Sequence, residues 1–225
     1  MGTITRALAN NITTGGVVSA SGISNTSVSA VTSLPAAAVG DFVLISEQTA
    51  SADASLSFTS GLDSTYDAYC FKFINIHLSH TSNADFGFQG STDGGSNYNT
   101  TITSTFFDAF HYENDSSTGL RYLGGTRDLA QETGYQSISV NTSSQDADQS
   151  MSGELWLYNP SSTTYVKHFM ATINTASDGG ADDFTDNSYV AGYFNTTSAI
   201  NAIDFKHPSG NIDDGTIKLF GVKKT

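Results

Sequence analysis

The sequence predicts an all-β protein: an antiparallel β-sandwich, jelly-roll-like, behind an extended N-terminal arm. Three observations point there. Short apolar segments alternate with a period of two between Gly, Asn, Asp and Ser turns, the spacing of sandwich strands. No segment sustains a helical period over about 12 residues. Ser, Thr and Asn (31, 28 and 15 of 225 residues) supply about a third of the chain, whereas Glu, a strong helix former, occurs four times.

Residues 1–40 contain no acidic residue, no aromatic residue and one cation, Arg6. Their small and β-branched side chains bury too little apolar area to offset the entropy of ordering. Composition leaves two readings, a linker or an arm that orders by adding strands to a neighbour. In the second, Ile4, Arg6, Leu8, Ile12, Val17 and Val18 are the anchoring contacts. Pro35 and Gly40 close this segment, and a domain of residues 41–225 follows.

The strands of that domain come in order. DFVLIS (41–46) is short and apolar, and SLSFTS (55–60) places Leu56 and Phe58 on one side. YCFKFINIHL (69–78) is the strongest. Tyr69, Phe71 and Phe73 share one face, and Cys70, Ile74 and Ile76 the other, so burial on both sides is expected. DFGFQG (85–90) ends at Asp93-Gly94-Gly95, a tight-turn signal. TTITSTFFDAFHYE (100–113) is extended and aromatic. Residues 114–135 read as loop, with at most one helical turn at DLAQET (128–133). YQSISV (135–140) alternates, and GELWLYNP (153–160) pairs with TTYVKHFMATI (163–173) across a hairpin tip at Ser161–Ser162. SYVAGYFN (188–195), INAIDF (200–205) and TIKLFGVK (216–223) complete a set of about ten strands.

Charge narrows the function. Twenty-two acids face nine Lys and Arg, a net charge of −13, while only 14% of residues are charged. So few cations cannot neutralise many phosphates, which argues against nucleic acid. No run approaches the roughly 18 apolar residues of a membrane helix, and no membrane insertion is expected. The opening MGTITRALANN lacks the apolar stretch of a secretory signal. The one cysteine, Cys70, forms no internal disulfide. Lys206, Lys218, Lys223 and Lys224 crowd the C-terminal end, expected either to pair with acidic neighbours in an assembly or to guard an edge strand.

Little in the chain is arranged for catalysis. His77 and His80, three apart on a strand, point to opposite faces, and His111, His168 and His207 stand alone. HExxH and GxSxG are absent, so no cofactor, metal or catalytic residue is expected. Asp178, Asp182, Asp183 and Asp186 read as a solvated acidic loop, without the DxDxDG spacing or a closing Glu, as do Asp146 and Asp148. Calcium binding at Asp178–Asp186 stays open at this stage. Nothing marks one of the four Glu as half of a glycosidase pair. Trp156, Tyr158 and Tyr165 suit stacking on sugar rings, as in carbohydrate-binding modules. The alternation of Trp156 and Tyr158 with Leu155 and Leu157 favours a core role instead. Six N-x-S/T sequons, at Asn11, Asn25, Asn99, Asn114, Asn141 and Asn195, are discounted as chance in so Ser/Thr/Asn-rich a chain.

Four segments carry a resemblance: ITRALANNITTGGV (4–17), FTSGLDSTYDAYCFKFINIH (58–77), LYNPSSTTYVKHF (157–169) and SGNIDDGTIKLFGVKK (209–224). Together they span roughly a third of the chain and resemble structural proteins of the decoration or fibre type from the virions of marine tailed bacteriophages. The resemblance implies a non-enzymatic component of the virion surface, assembled in the bacterial cytoplasm, with capsid or tail proteins as partners and a homotrimer of sandwiches as its usual form. Phe106, Phe107 and Phe110 are the aromatics expected at a trimer contact, and Trp156 and Tyr158 those for a host-surface glycan. A carbohydrate-binding module is the alternative function, and a glycan-cleaving enzyme a weaker third.

Overall fold

A computed structural model describes residues 41–79, 85–140, 148–177 and 183–223. The expected arm, with Ile4, Arg6, Leu8, Ile12, Val17 and Val18, lies outside the described residues, as do His80, Asp146, Asp178, Asp182 and Lys224.

Thirteen strands and no helix occur among the described residues: β1 (Phe42–Thr49), β2 (Ser55–Phe58), β3 (Ala68–Leu78), β4 (Gly87–Ser91), β5 (Ile102–Tyr112), β6 (Thr118–Tyr122), β7 (Ala130–Glu132), β8 (Gln136–Ser137), β9 (Met151–Tyr158), β10 (Lys167–Ser177), β11 (Phe184–Phe194), β12 (Ala202–Lys206) and β13 (Ile212–Val222). A nine-stranded sheet runs β1-β13-β3-β9-β10-β11-β5-β6, with β7 also on β5, and a four-stranded sheet runs β2-β12-β4-β8. Strands pair antiparallel throughout. Each strand of the small sheet lies in the chain between two strands of the large one. Such crossing between layers makes an antiparallel sandwich of jelly-roll-like habit, the class the sequence predicts.

The layers meet through phenylalanine. Phe205 of β12 lies within 6.3 Å, centroid to centroid, of Phe58, Phe71, Phe73, Phe86 and Phe88. Phe88 of β4 reaches Phe169 at 5.1 Å and Phe194 at 6.0 Å in the large sheet. Edge-to-face contacts dominate, the arrangement ring quadrupoles favour.

Three expectations are corrected. The presumed loop 114–135 holds β6 and β7, and the segment 128–133 is partly strand rather than a helical turn. Ile76 does not share a face with Cys70. The β3 register shifts after Phe73, where Asn75 takes φ 49°, opposite a shift in β13 at Gly215, φ 110°. A Cβ on Gly215 would stand 2.5 Å from the Asn75 carbonyl oxygen, so a residue without one is required. The bulge turns Ile76 and Leu78 into the core and leaves Ile74 exposed. Finally, Lys206 on β12 and Lys218 on β13 guard no edge, β12 lying between β2 and β4. Strand β13 lies between β1 and β3, and Lys218 pairs with Glu47 at 2.7 Å.

Candidate functional site

The inner face of the large sheet is buried, and its outer face carries the aromatics left outside. Ten large hydrophobic side chains are exposed among the described residues: Phe42, Leu44, Ile74, Phe107, Leu120, Tyr122, Tyr158, Tyr165, Met170 and Tyr189. Register places all but Tyr165 on this outer face. Leu44 pairs with Phe220, Phe220 with Cys70, Cys70 with Trp156, Trp156 with Met170, Met170 with Ala191 and Ala191 with Thr105. A neighbouring row runs Glu47, Lys218, Lys72, Glu154, Thr172, Tyr189, Phe107 and Tyr122. The first row is apolar and the second begins charged and ends aromatic.

The charges cancel in place. Lys72 is bonded to Glu154, and Lys218 to Glu47. Glu154 also accepts from the Trp156 indole N–H at 2.9 Å. The Lys72 bond holds the Glu154 carboxyl below the usual carboxylate range and raises the Lys72 ammonium. Rings brace one another along the face. Phe42 meets Trp156 edge-on at 5.7 Å, Trp156 lies parallel to Tyr158 at 6.3 Å, and Phe107 stacks on Tyr189 at 4.9 Å.

The expected contact residues divide. Phe106 is fully buried on the inner face and open to no partner. Phe110 is half-buried on that same side, with the Arg121 guanidinium 4.2 Å above its ring. Phe107, at 42% exposure, is the member of that trio on the outer face. Leu155 and Leu157 fill the core, so Trp156 and Tyr158 face outward rather than belonging to it.

Beside Tyr158 the outer face dips. Ala191, small among large neighbours, floors a shallow groove of about 390 Å³ walled by Tyr158, His168, Met170 and Tyr193, with Thr103 and Thr105 at its margin. His168 and Tyr193 meet edge-on at 6.0 Å. A larger cavity of about 550 Å³ opens beside the small sheet, and its two cations are already engaged. Arg127 pairs with Asp85 at 2.7 Å, and Lys206 sits 3.9 Å over the Tyr135 ring, whose hydroxyl donates to Asp204.

The structure also redefines the acidic loop. Asp186 is no solvated residue. It lies on β11, fully buried, and shares Arg121 with the equally buried Asp108. Arg121 grips Asp108 through Nε and Nη2, and Ser188 donates to Asp186 at 2.9 Å. Burial, followed by the neighbouring Asp108 carboxyl, pushes the Asp186 carboxyl up to about 7. The sequence signal for this trio is faint: one Arg in a presumed loop and two Asp at inward positions of strands. Among the described residues no three His, Cys, Asp or Glu side chains are grouped to hold a metal ion. His77 contacts the Gln149 carbonyl through Nδ1 at 2.6 Å, and His111 pairs with Asp115 at 3.0 Å. Burial pushes the Cys70 thiol up to about 12, which makes it a poor nucleophile.

Comparison of the chain with protein-family models, with curated proteins and with solved structures finds no match.

Proposed function

We propose that the chain is a non-enzymatic structural protein of a tailed-phage virion. Residues 1–40 attach it to capsid or tail proteins, and residues 41–225 stand at the virion surface as a β-sandwich, in the manner of a capsid decoration, short head fibre or tail-fibre-type protein. The observation that supports this most is the clustering of exposed large hydrophobics on one sheet face. Contiguous apolar surface of this kind marks contact with another protein. A homotrimer through this face is part of the proposal: a body of net charge −13 repels its own copies, and on this face Lys72 and Lys218 are each paired to a glutamate, so these four groups add no net charge to a contact.

Supplying the tagged full chain during infection tests the proposal. It is expected to purify with particles, while residues 41–225 alone remain in the lysate. Absence of the full chain from particles overturns the virion assignment. Incorporation of the shortened chain at the same level overturns the anchoring role of residues 1–40. Light scattering on the full chain is expected to give a trimer, and a monomer in solution and on the particle would remove the homotrimer.

A second reading, a carbohydrate-binding module for a surface glycan, is favoured by the groove over Ala191, with its aromatic walls and a lining that holds no Asp, Glu, Lys or Arg.

A further inference from the structure

We infer that the groove floored by Ala191 is a binding site for a neutral sugar ring, held between Tyr158, His168, Met170 and Tyr193. The inference deepens the glycan reading and does not need the virion reading, so either can fail alone.

Four features select this ligand. The first is shape. Ala191 lies between Met170 on β10 and Thr105 on β5, and beside it the row Phe169, Gly192 and Ser104 completes the lining, so the depression is shallow and open, suited to one or two rings laid along the sheet. The second is surface chemistry. Tyr158, Tyr193 and Met170 offer apolar surface for the C–H face of a pyranose.

The third is unspent hydrogen bonding. The hydroxyls of Tyr158 and Tyr193 and both ring nitrogens of His168 have no hydrogen-bond partner among the described residues, although Tyr193 is half-buried. An apolar peptide seated here would desolvate these groups without replacing their bonds, a cost that a polyol avoids. The fourth is charge. No Asp, Glu, Lys or Arg lines the groove, and the chain around it carries a net charge of −13. A phosphorylated, sulfated or sialylated ligand would meet repulsion with no Lys or Arg to offset it.

The groove lies on a rigid support. Its residues come from strands, at the starts of β5 and β10 and the ends of β9 and β11, not from loops. The wall is therefore set before a ligand arrives, which lowers the ordering cost of binding.

The test is a glycan array probed with the full chain, carrying neutral hexose and N-acetylhexosamine oligosaccharides beside sialylated and sulfated ones. Titration of the best neutral disaccharide, followed by Trp156 fluorescence, then gives the affinity. Binding to neutral glycans is expected, weakened at least ~10-fold by Ala191→Leu, which fills the floor, and by Tyr193→Ala, which removes a wall. Both side chains face outward, and thermal melting confirms that each variant is folded. Should one variant fail to fold, the other carries the test. Neutral glycans bound equally by wild type and variants would overturn the groove while leaving glycan recognition elsewhere on the chain. Preference for the acidic probes would overturn the charge argument and the assignment with it. No binding at millimolar disaccharide would overturn both the groove and the glycan reading.

Discussion

The inner face of the nine-stranded sheet has two ends that keep the same alternation and carry opposite chemistry. Across β3, β9 and β13 the inward residues are Tyr69, Phe71, Phe73, Leu155, Leu157, Ile217 and Leu219, all essentially inaccessible. Where β5 and β11 run beyond the buried pair Phe106 and Val190, and at the end of β10, they include Asp108, Asp186, Ser188, Thr175 and Ser177, every one at most 1% exposed. Strand geometry alone decides which positions are inside, and polarity does not override it. The two ends are held differently. The first gains from apolar area, which is non-directional. The second holds only while its polar groups find partners, because an unpaired buried charge costs more than an unpaired methyl. Arg121, reaching in from β6, is the partner that allows Asp108 and Asp186 to be there.

The contrast can be broken at either end. Phe205→Ala empties the position where rings of both layers meet and is expected to cost about 3–5 kcal/mol by urea denaturation, as for large core truncations. The loss should be equal at pH 5 and pH 8, since nothing that titrates is removed. Arg121→Ala is expected to cost a comparable ~3–5 kcal/mol at pH 8, because two buried carboxyl groups lose their cation. At pH 5, where Asp186 already carries its proton, the loss should be clearly smaller. A loss independent of pH would mean that Arg121 acts only through its packing on Phe110, and the distinction between the two ends would collapse.

The same contrast explains what was legible in the sequence. Where inward positions are apolar, period two is visible, and β2, β3, β9 and β13 can be read from Leu56, Phe71, Leu155 and Leu219. Where inward positions are polar, the period persists in the backbone but leaves no hydrophobic trace. The start of β11 at Phe184 was hidden by Asp186 and Ser188, and the end of β10 by Thr175 and Ser177. Strand β6 was hidden because its apolar residues, Leu120 and Tyr122, face outward. Ile76 needed the Asn75–Gly215 bulge, a tertiary feature with no local signal beyond a glycine. The outer aromatic face was half legible. Trp156 and Tyr158 alternate with leucines in the sequence, but only register shows which side is core and joins them to Met170 and Tyr193. Lys167 gave no warning at all. It is fully buried at the start of β10, its ammonium donating to the carbonyls of Tyr165 and Thr196 at 3.0 Å each.

Asp186→Asn sharpens the contrast by removing charge without removing shape. Burial raises the folded-state pKa of Asp186 from 3.8 to about 7. Between about pH 4 and pH 7 the folded protein therefore holds a proton that the unfolded chain lacks. Stability from this group is greatest at the acid side of that window and falls as pH rises through it. The amide cannot ionise and can still donate to Asp108. The variant is expected to match wild type near pH 4 and to be the more stable above pH 7, with the gap opening across the window. Urea titrations at a series of pH values read this directly. A wild-type stability that rises from pH 5 to pH 8, with a variant running parallel to it, would show that Asp186 is ionised throughout.

The smallest expected effect lies beside that cluster. Thr175 is 1% exposed on β10, and its hydroxyl has no hydrogen-bond partner among the described residues. It is the one inward group at the polar end with polarity and no use for it. Thr175→Val keeps the shape and the β-branch and removes a desolvated hydroxyl, so stability should be unchanged or rise by up to ~1 kcal/mol. Ser188→Ala, which removes a hydroxyl that donates to Asp186, should instead destabilise by about 1–3 kcal/mol. Opposite signs at two neighbouring inward hydroxyls would show that this end of the core is held by specific partners. Equal losses would show that it depends on polarity in general, as a wetted pocket does.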